Sequence, residues 1–171
     1  SSKSYEGKQV GTVPEFIRRN AQRGLENLEF AGGGLTDKTI REARLMRDGQ
    51  VSESKAIRAN AWFLRHLSDL DSAEANEYLR GEGEISAGQV AWLLWGGSIN
   101  RADRMNAQKW FERQVNRIRD EKAFESAQEL VKRRELLRNS EWEVRLNRFR
   151  TKQTRDEVQS SYEKLIGDWD F

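Results

Sequence analysis

The 171-residue sequence predicts an all-α protein: a compact multi-helix bundle followed by a long amphipathic helical extension. Three observations carry that prediction. Apolar residues recur at three- and four-residue spacing, and no stretch alternates as a half-buried strand would. The single proline, Pro14, stands where a helix begins, the position at which a missing N–H costs nothing. Glycines punctuate the periodic segments of the first 100 residues and then become scarce.

Taken in order, residues 1–11 are polar, carry two glycines and read as a flexible tail, whose sharper alternative is an arm docked on a neighbour. Thr12, Pro14 and Glu15 spell a capping box for a first helix bearing Phe16, Ile17, Ala21, Leu25 and Leu28, stopped by Gly32, Gly33 and Gly34. Thr36 caps a second helix through Ile40, Ala43 and Met46, ended by Gly49. Ser52 caps a third, with an apolar stripe expected on Ile57, Ala61, Leu64 and Leu67, widened by Trp62 and Phe63. Ser72 opens a short fourth helix that ends at Gly81 or Gly83. Ser86 opens the most apolar one, Val90 to Trp95, closed by Gly96 and Gly97 and expected at the centre of the core because it is apolar all round. Residues 12–120 thus form the bundle, and 121–171 the extension, ending in a short acidic docking tail. Within the extension Ser140–Glu143 reads as a second capping box, predicting a break near Asn139. Thr154–Glu157 reads as a further restart.

Composition excludes several function classes. There is no cysteine, so no disulfide, thiol nucleophile or Cys-ligated metal is available. His66 is the lone histidine, which rules out a multi-His metal site in one chain; it reads as a capping or surface residue, since general-base work would need a partner in a cleft. No apolar run approaches the ~20 residues of a membrane span, and the start does not read as a secretory signal. The glycine clusters match neither a P-loop nor a dinucleotide fingerprint. No enzyme, no cofactor and no membrane association are therefore expected.

Charge is balanced in sum, at +2, but unevenly placed. Asp69–Glu84 carries a net −5, Lys132–Arg155 a net +6 and Asp156–Phe171 a net −4. Such zones are solvated helix faces, or orient neighbouring copies head to tail, or contact phosphates. Two sets of candidate binding residues follow. The first is apolar and aromatic: Trp142, Leu146, Phe149, Tyr162, Leu165, Trp169 and Phe171, which the extension presents to another protein. The second is basic. Thr36–His66 has the outline of a helix-turn-helix, with Lys55, Arg58 and Arg65 expected to face solvent, while Arg133, Arg134, Arg138, Arg145, Arg148 and Arg150 space positive charge along the extension. Plain bundle packing is the competing reading of the helix pair, because acidic Asp37, Glu42, Asp48 and Glu53 interleave it.

The run Ile85-Ser86-Ala87-Gly88-Gln89-Val90-Ala91-Trp92-Leu93-Leu94-Trp95-Gly96-Gly97 resembles a helical module of tailed-bacteriophage and prophage head or virion proteins. That module is similar also in its arginine-rich first helix, here Arg18–Leu25, in Thr39–Arg44, and in a Trp-Phe-x-Arg-His stretch, here Trp62–His66. The resemblance covers residues 13–118. It implies a phage context and no catalytic residues. The expectation is a structural or assembly protein that binds other phage structural proteins and itself, located in the virion or host cytoplasm, with DNA as the alternative partner.

Overall fold

The computed structural model describes residues 7–167, and six α-helices account for most of them. The chain divides into two units, with the boundary between Asp120 and Glu121.

The first unit holds α1 (Glu15–Glu26), α2 (Asp37–Arg47), α3 (Glu53–His66), α4 (Ala73–Leu79), α5 (Ala87–Leu94) and the opening turns of α6 (Asn106–Gly167), joined in part by 3-10 turns at Leu28–Phe30 and Leu67–Asp71. Four helices begin on a serine or threonine whose hydroxyl accepts a backbone N–H: Thr36 from Thr39, Ser52 from Lys55, Ser72 from Ala75 and Ser86 from Gln89. At α5 the box is closed, since the Gln89 side chain accepts from the Ser86 N–H at 2.9 Å. The capping box expected at Thr12 does not form. Pro14, extended at φ −58°, ψ 146°, is itself the residue before the first helical turn, so Thr12 lies too far upstream to reach an orphan N–H.

α5 is the core's central element, as its composition predicts. Val90, Trp92, Leu93 and Leu94 are buried, and α1 packs along it. The two helices meet at Gly24, where a Cβ would stand 2.7 Å from the Leu94 backbone nitrogen. Gly96, at φ +97°, turns the chain after α5 between Ile17 and Met46. Phe63, Trp92 and Phe111 stack edge-on or tilted at centroid separations of 4.8 and 5.9 Å, tying α3, α5 and α6 into one apolar cluster.

Two further expectations change. On α3 the buried face is Lys55, Ala56, Ala59 and Phe63; Ile57, Ala61 and Leu64 are exposed. The helix is rotated so that Phe63 fills the core against Trp92 and Phe111, which single-sequence periodicity does not distinguish from the Ile57–Leu64 stripe. Residues 8–10, read from the sequence as tail, pair with the α3 entry on their own chain: Val10 N–H donates to Val51 O and Glu53 N–H to Lys8 O, both at 2.9 Å, and Val10 is buried.

In the second unit α6 continues without interruption from Glu121 to Gly167. The break near Asn139 and the restart at Thr154 are absent. No glycine or proline interrupts the helix before Gly167, and serine or threonine alone does not stop a propagating helix. Thr151 and Thr154 instead donate back to the carbonyls of Asn147 and Arg150, at 2.7 and 2.9 Å.

Candidate protein-docking helix

The second unit places every large apolar side chain of residues 124–166 in solvent. Trp142 is 57% exposed and Phe149 65%, and Leu146, Tyr162 and Leu165 are exposed as well. Five of the seven apolar candidates therefore lie open; Trp169 and Phe171 fall outside the described residues.

Helical spacing sorts these side chains into two stripes. At ~100° per residue, Phe124, Val131, Trp142, Leu146 and Phe149 share one side of α6. Leu130, Leu137, Val144, Val158 and Leu165, with Thr151 between, share nearly the opposite side, and Tyr162 joins them. The second stripe repeats at seven residues throughout. Straight α-helix geometry drifts ~20° per heptad, so a strict seven-residue repeat faces a partner only if the helices supercoil left-handedly. Leu137, Ser140, Glu141, Val144, Arg145 and Arg148 form a shallow groove on this side, and Phe149, Lys152, Gln153, Asp156, Glu157 and Ser160 form one on the other. A helix apolar on two opposing sides cannot cover both against one neighbour. Apart from Tyr162 and Leu165, this stripe was missed as a site in the sequence; its signal was the regular seven-residue interval from Leu130 to Leu165.

Of the basic candidates, Arg133, Arg134, Arg138, Arg145, Arg148 and Arg150 are all exposed on α6. Arg134, Arg138 and Arg145 follow one flank between the two stripes, together with Lys152, whereas Arg150 lies across the helix from them. Arg133 pairs with Glu129 at 3.7 Å.

The basic residues of α3 are placed otherwise than expected. Arg65 is exposed. Lys55, expected in solvent, is only 2% exposed, which corrects its part in a groove-reading face. Its Nζ sits 3.2 Å from the Trp95 ring centroid and 4.0 Å from Glu42 Oε2, too far for a hydrogen bond to that oxygen. Arg58 grips the same carboxylate with two donors, at 3.0 and 2.6 Å. Burial pushes the Lys55 ammonium down to about 7; Glu42 works against that fall, and Arg58 and Lys38 add to it. For Glu42, burial acts to raise the pKa, but the Arg58 hydrogen bonds and the charges of Lys55, Arg58 and Lys38 outweigh it and hold the carboxyl below its ordinary value. The cluster holds α2, α3 and the end of α5 together. His66 stacks on Trp62 at 4.5 Å, Trp62 stacks on Trp95 at 4.9 Å, and Nδ1 of His66 meets Asp69 Oδ2 at 3.0 Å.

Among the described residues no group of three or more His, Asp or Glu side chains is placed to hold a metal ion, and no helix is long and apolar enough to cross a membrane. The chain matches no family model, no curated protein and no solved structure.

Proposed function

We propose that this protein is a non-enzymatic structural or assembly protein of a tailed bacteriophage, and that α6 beyond Asp120 docks other virion subunits. One observation carries the docking: Trp142, Leu146 and Phe149 form a solvent-facing aromatic and aliphatic stripe on a helix that has no core of its own to bury it. Indole and phenyl rings contribute most of the binding energy at such interfaces, because each removes a large apolar area from water while fixing only two side-chain torsions. The charged residues between the stripes set orientation and encounter rate. The phage context is supported by the resemblance of the Ile85–Gly97 run and its flanking helices.

The test is incorporation into particles. Virions and assembly intermediates purified from the source phage or induced prophage should contain the chain at a fixed copy number relative to the head subunit. The combined variant Trp142→Ala, Leu146→Ala, Phe149→Ala should lose incorporation while the first unit's thermal midpoint stays unchanged. A chain absent from particles and intermediates sinks the phage reading; undiminished incorporation of the variant sinks the stripe.

A second reading, nucleic-acid binding, is supported by the exposed flank of Arg134, Arg138, Arg145 and Lys152. Phosphate contact through these groups requires affinity that falls steeply with salt. Replacing Arg134, Arg138 and Arg145 together should then weaken DNA binding, whereas it leaves the subunit contact through Trp142 in place. The helix-turn-helix route has lost its Lys55, and Arg58 is engaged with Glu42.

A further inference from the structure

We infer that the second stripe of α6 binds a second copy of this chain, antiparallel and in one register. The inference rests on the reading of α6 as the docking element and names the occupant of its other side.

Leu130, Leu137, Val144, Thr151, Val158 and Leu165 put one residue per heptad at the same core position, all exposed. The core position three residues on is occupied by Ser140, Asn147, Thr154 and Ser161, with Ser126 before them and Arg133 as the exception. In a parallel pair, large residues would meet large and small polar ones would meet each other. In an antiparallel pair each large residue meets a small one: Leu137 meets Thr154 of the other copy, Val144 meets Asn147 and Leu165 meets Ser126. Burial there is chemically permitted for the threonines, because the Thr151 and Thr154 hydroxyls already donate within their own helix.

Charge chooses the register. With Leu137 opposite Thr154, the flanking residues bring Glu143 against Arg150, Glu129 against Lys164 and Glu141 against Arg148, each twice by the two-fold axis. The one like-charge pairing is Arg134 against Arg155. A slip of one heptad in one direction sets Glu143 against its own copy and Glu129 against Glu157. A slip in the other sets Arg150 and Arg148 each against their own copies. Parallel in-register pairing retains Glu129 with Arg134 and Glu143 with Arg148 but opposes Arg150 to Arg155. The antiparallel register therefore has the largest excess of unlike pairs. The shallow groove at Leu137, Ser140 and Val144 is the recess that receives the other copy's side chains.

The 171-residue chain tests this directly, because it contains no cysteine of its own. Sedimentation equilibrium over a concentration series should show a dimer. Asn147 lies next to the two-fold axis, so Asn147→Cys should cross-link under mild oxidation. Ser161 lies about 45 Å from its copy in the antiparallel pair, at 1.5 Å per residue, so Ser161→Cys should not. Glu143→Arg should raise the dimer dissociation constant about tenfold, and adding Arg150→Glu should restore it. Cross-linking at both cysteines overturns the antiparallel arrangement, and a dimer indifferent to Glu143→Arg overturns the register. A dimer that cross-links at neither cysteine overturns the use of this stripe. A chain monomeric at every concentration overturns the pairing altogether. That last result leaves the docking reading standing as long as the Trp142, Leu146, Phe149 variant still loses incorporation.

Discussion

Lys55 Nζ lies 3.2 Å from the centroid of the Trp95 ring, inside the first unit, with Glu42 Oε2 4.0 Å away. Enclosure weakens this lysine's hold on its proton, the aromatic face and the nearby carboxylate oppose that loss, and Arg58 takes both hydrogen bonds to the carboxylate. The three charges join α2 to α3 at a point where a purely apolar contact would also serve. Buried ion clusters of this kind hold geometry more than they add stability.

Burial lowers the Lys55 pKa in the folded state to about 7, against the ordinary lysine value in the unfolded chain. Between those two values the unfolded chain binds one more proton than the folded one, so stability contributed at this site rises as pH rises through 7 and is lower on the acid side. Lys55→Met removes that dependence while Arg58 still satisfies Glu42. Urea midpoints at pH 6 and pH 9 should show the variant gaining most at pH 6, by an amount on the order of a few kcal/mol, with a flatter profile. A variant less stable than the parent at pH 6, or one with an unchanged slope, contradicts this account.

Gly24 sits inside α1, where alanine would ordinarily add about 1 kcal/mol of helix stability. Here a Cβ meets the Leu94 backbone nitrogen at 2.7 Å and the Leu94 side chain at 3.0 Å. Gly24→Ala must push α1 off α5 and should destabilise by roughly 1–3 kcal/mol. Thermal unfolding decides the sign, and a midpoint raised by the substitution would show that the two helices are not in close contact there.

Ser86 and Thr154 look alike in sequence, each heading a stretch that reads as a helix start. Only Ser86 caps; Thr154 lies inside α6 and bonds backward to Arg150. Ser86→Ala should cost about 1 kcal/mol in global unfolding. Thr154→Ala should leave helicity equal or slightly higher, since alanine is the better interior residue. A drop in far-ultraviolet helical signal for Thr154→Ala would indicate that a helix does begin there.

The local chemistry of the first unit was legible because it is written in short-range patterns. The Ser/Thr caps of α2 to α5, the glycine stops of α2, α4 and α5 and the all-round apolar α5 each depend on residues within a few positions of one another. The phase of α3 was not legible, since Phe63 and Ile57 are both large and apolar and either could mark the inner face. Only packing against Trp92 and Phe111 decides it. The same holds for Lys55: its charge predicts solvent, and its burial follows from Glu42 and Trp95, neighbours that sequence spacing does not reveal.

Sequence by itself determined that the chain is all-α, where α2 to α5 begin, and that its last third carries apolar side chains at helical intervals. Those properties follow from side-chain sterics and hydrogen-bonding options within a turn or two of backbone. Tertiary structure alone decided that the rings of α6 beyond Asp120 lie open rather than buried, which face of α3 turns inward, and that Lys55 is sealed while Arg65 is not. Whether a side chain is covered depends on segments distant along the chain, so the apolar residues of α6 beyond Asp120 are exposed however strongly their spacing resembles a core.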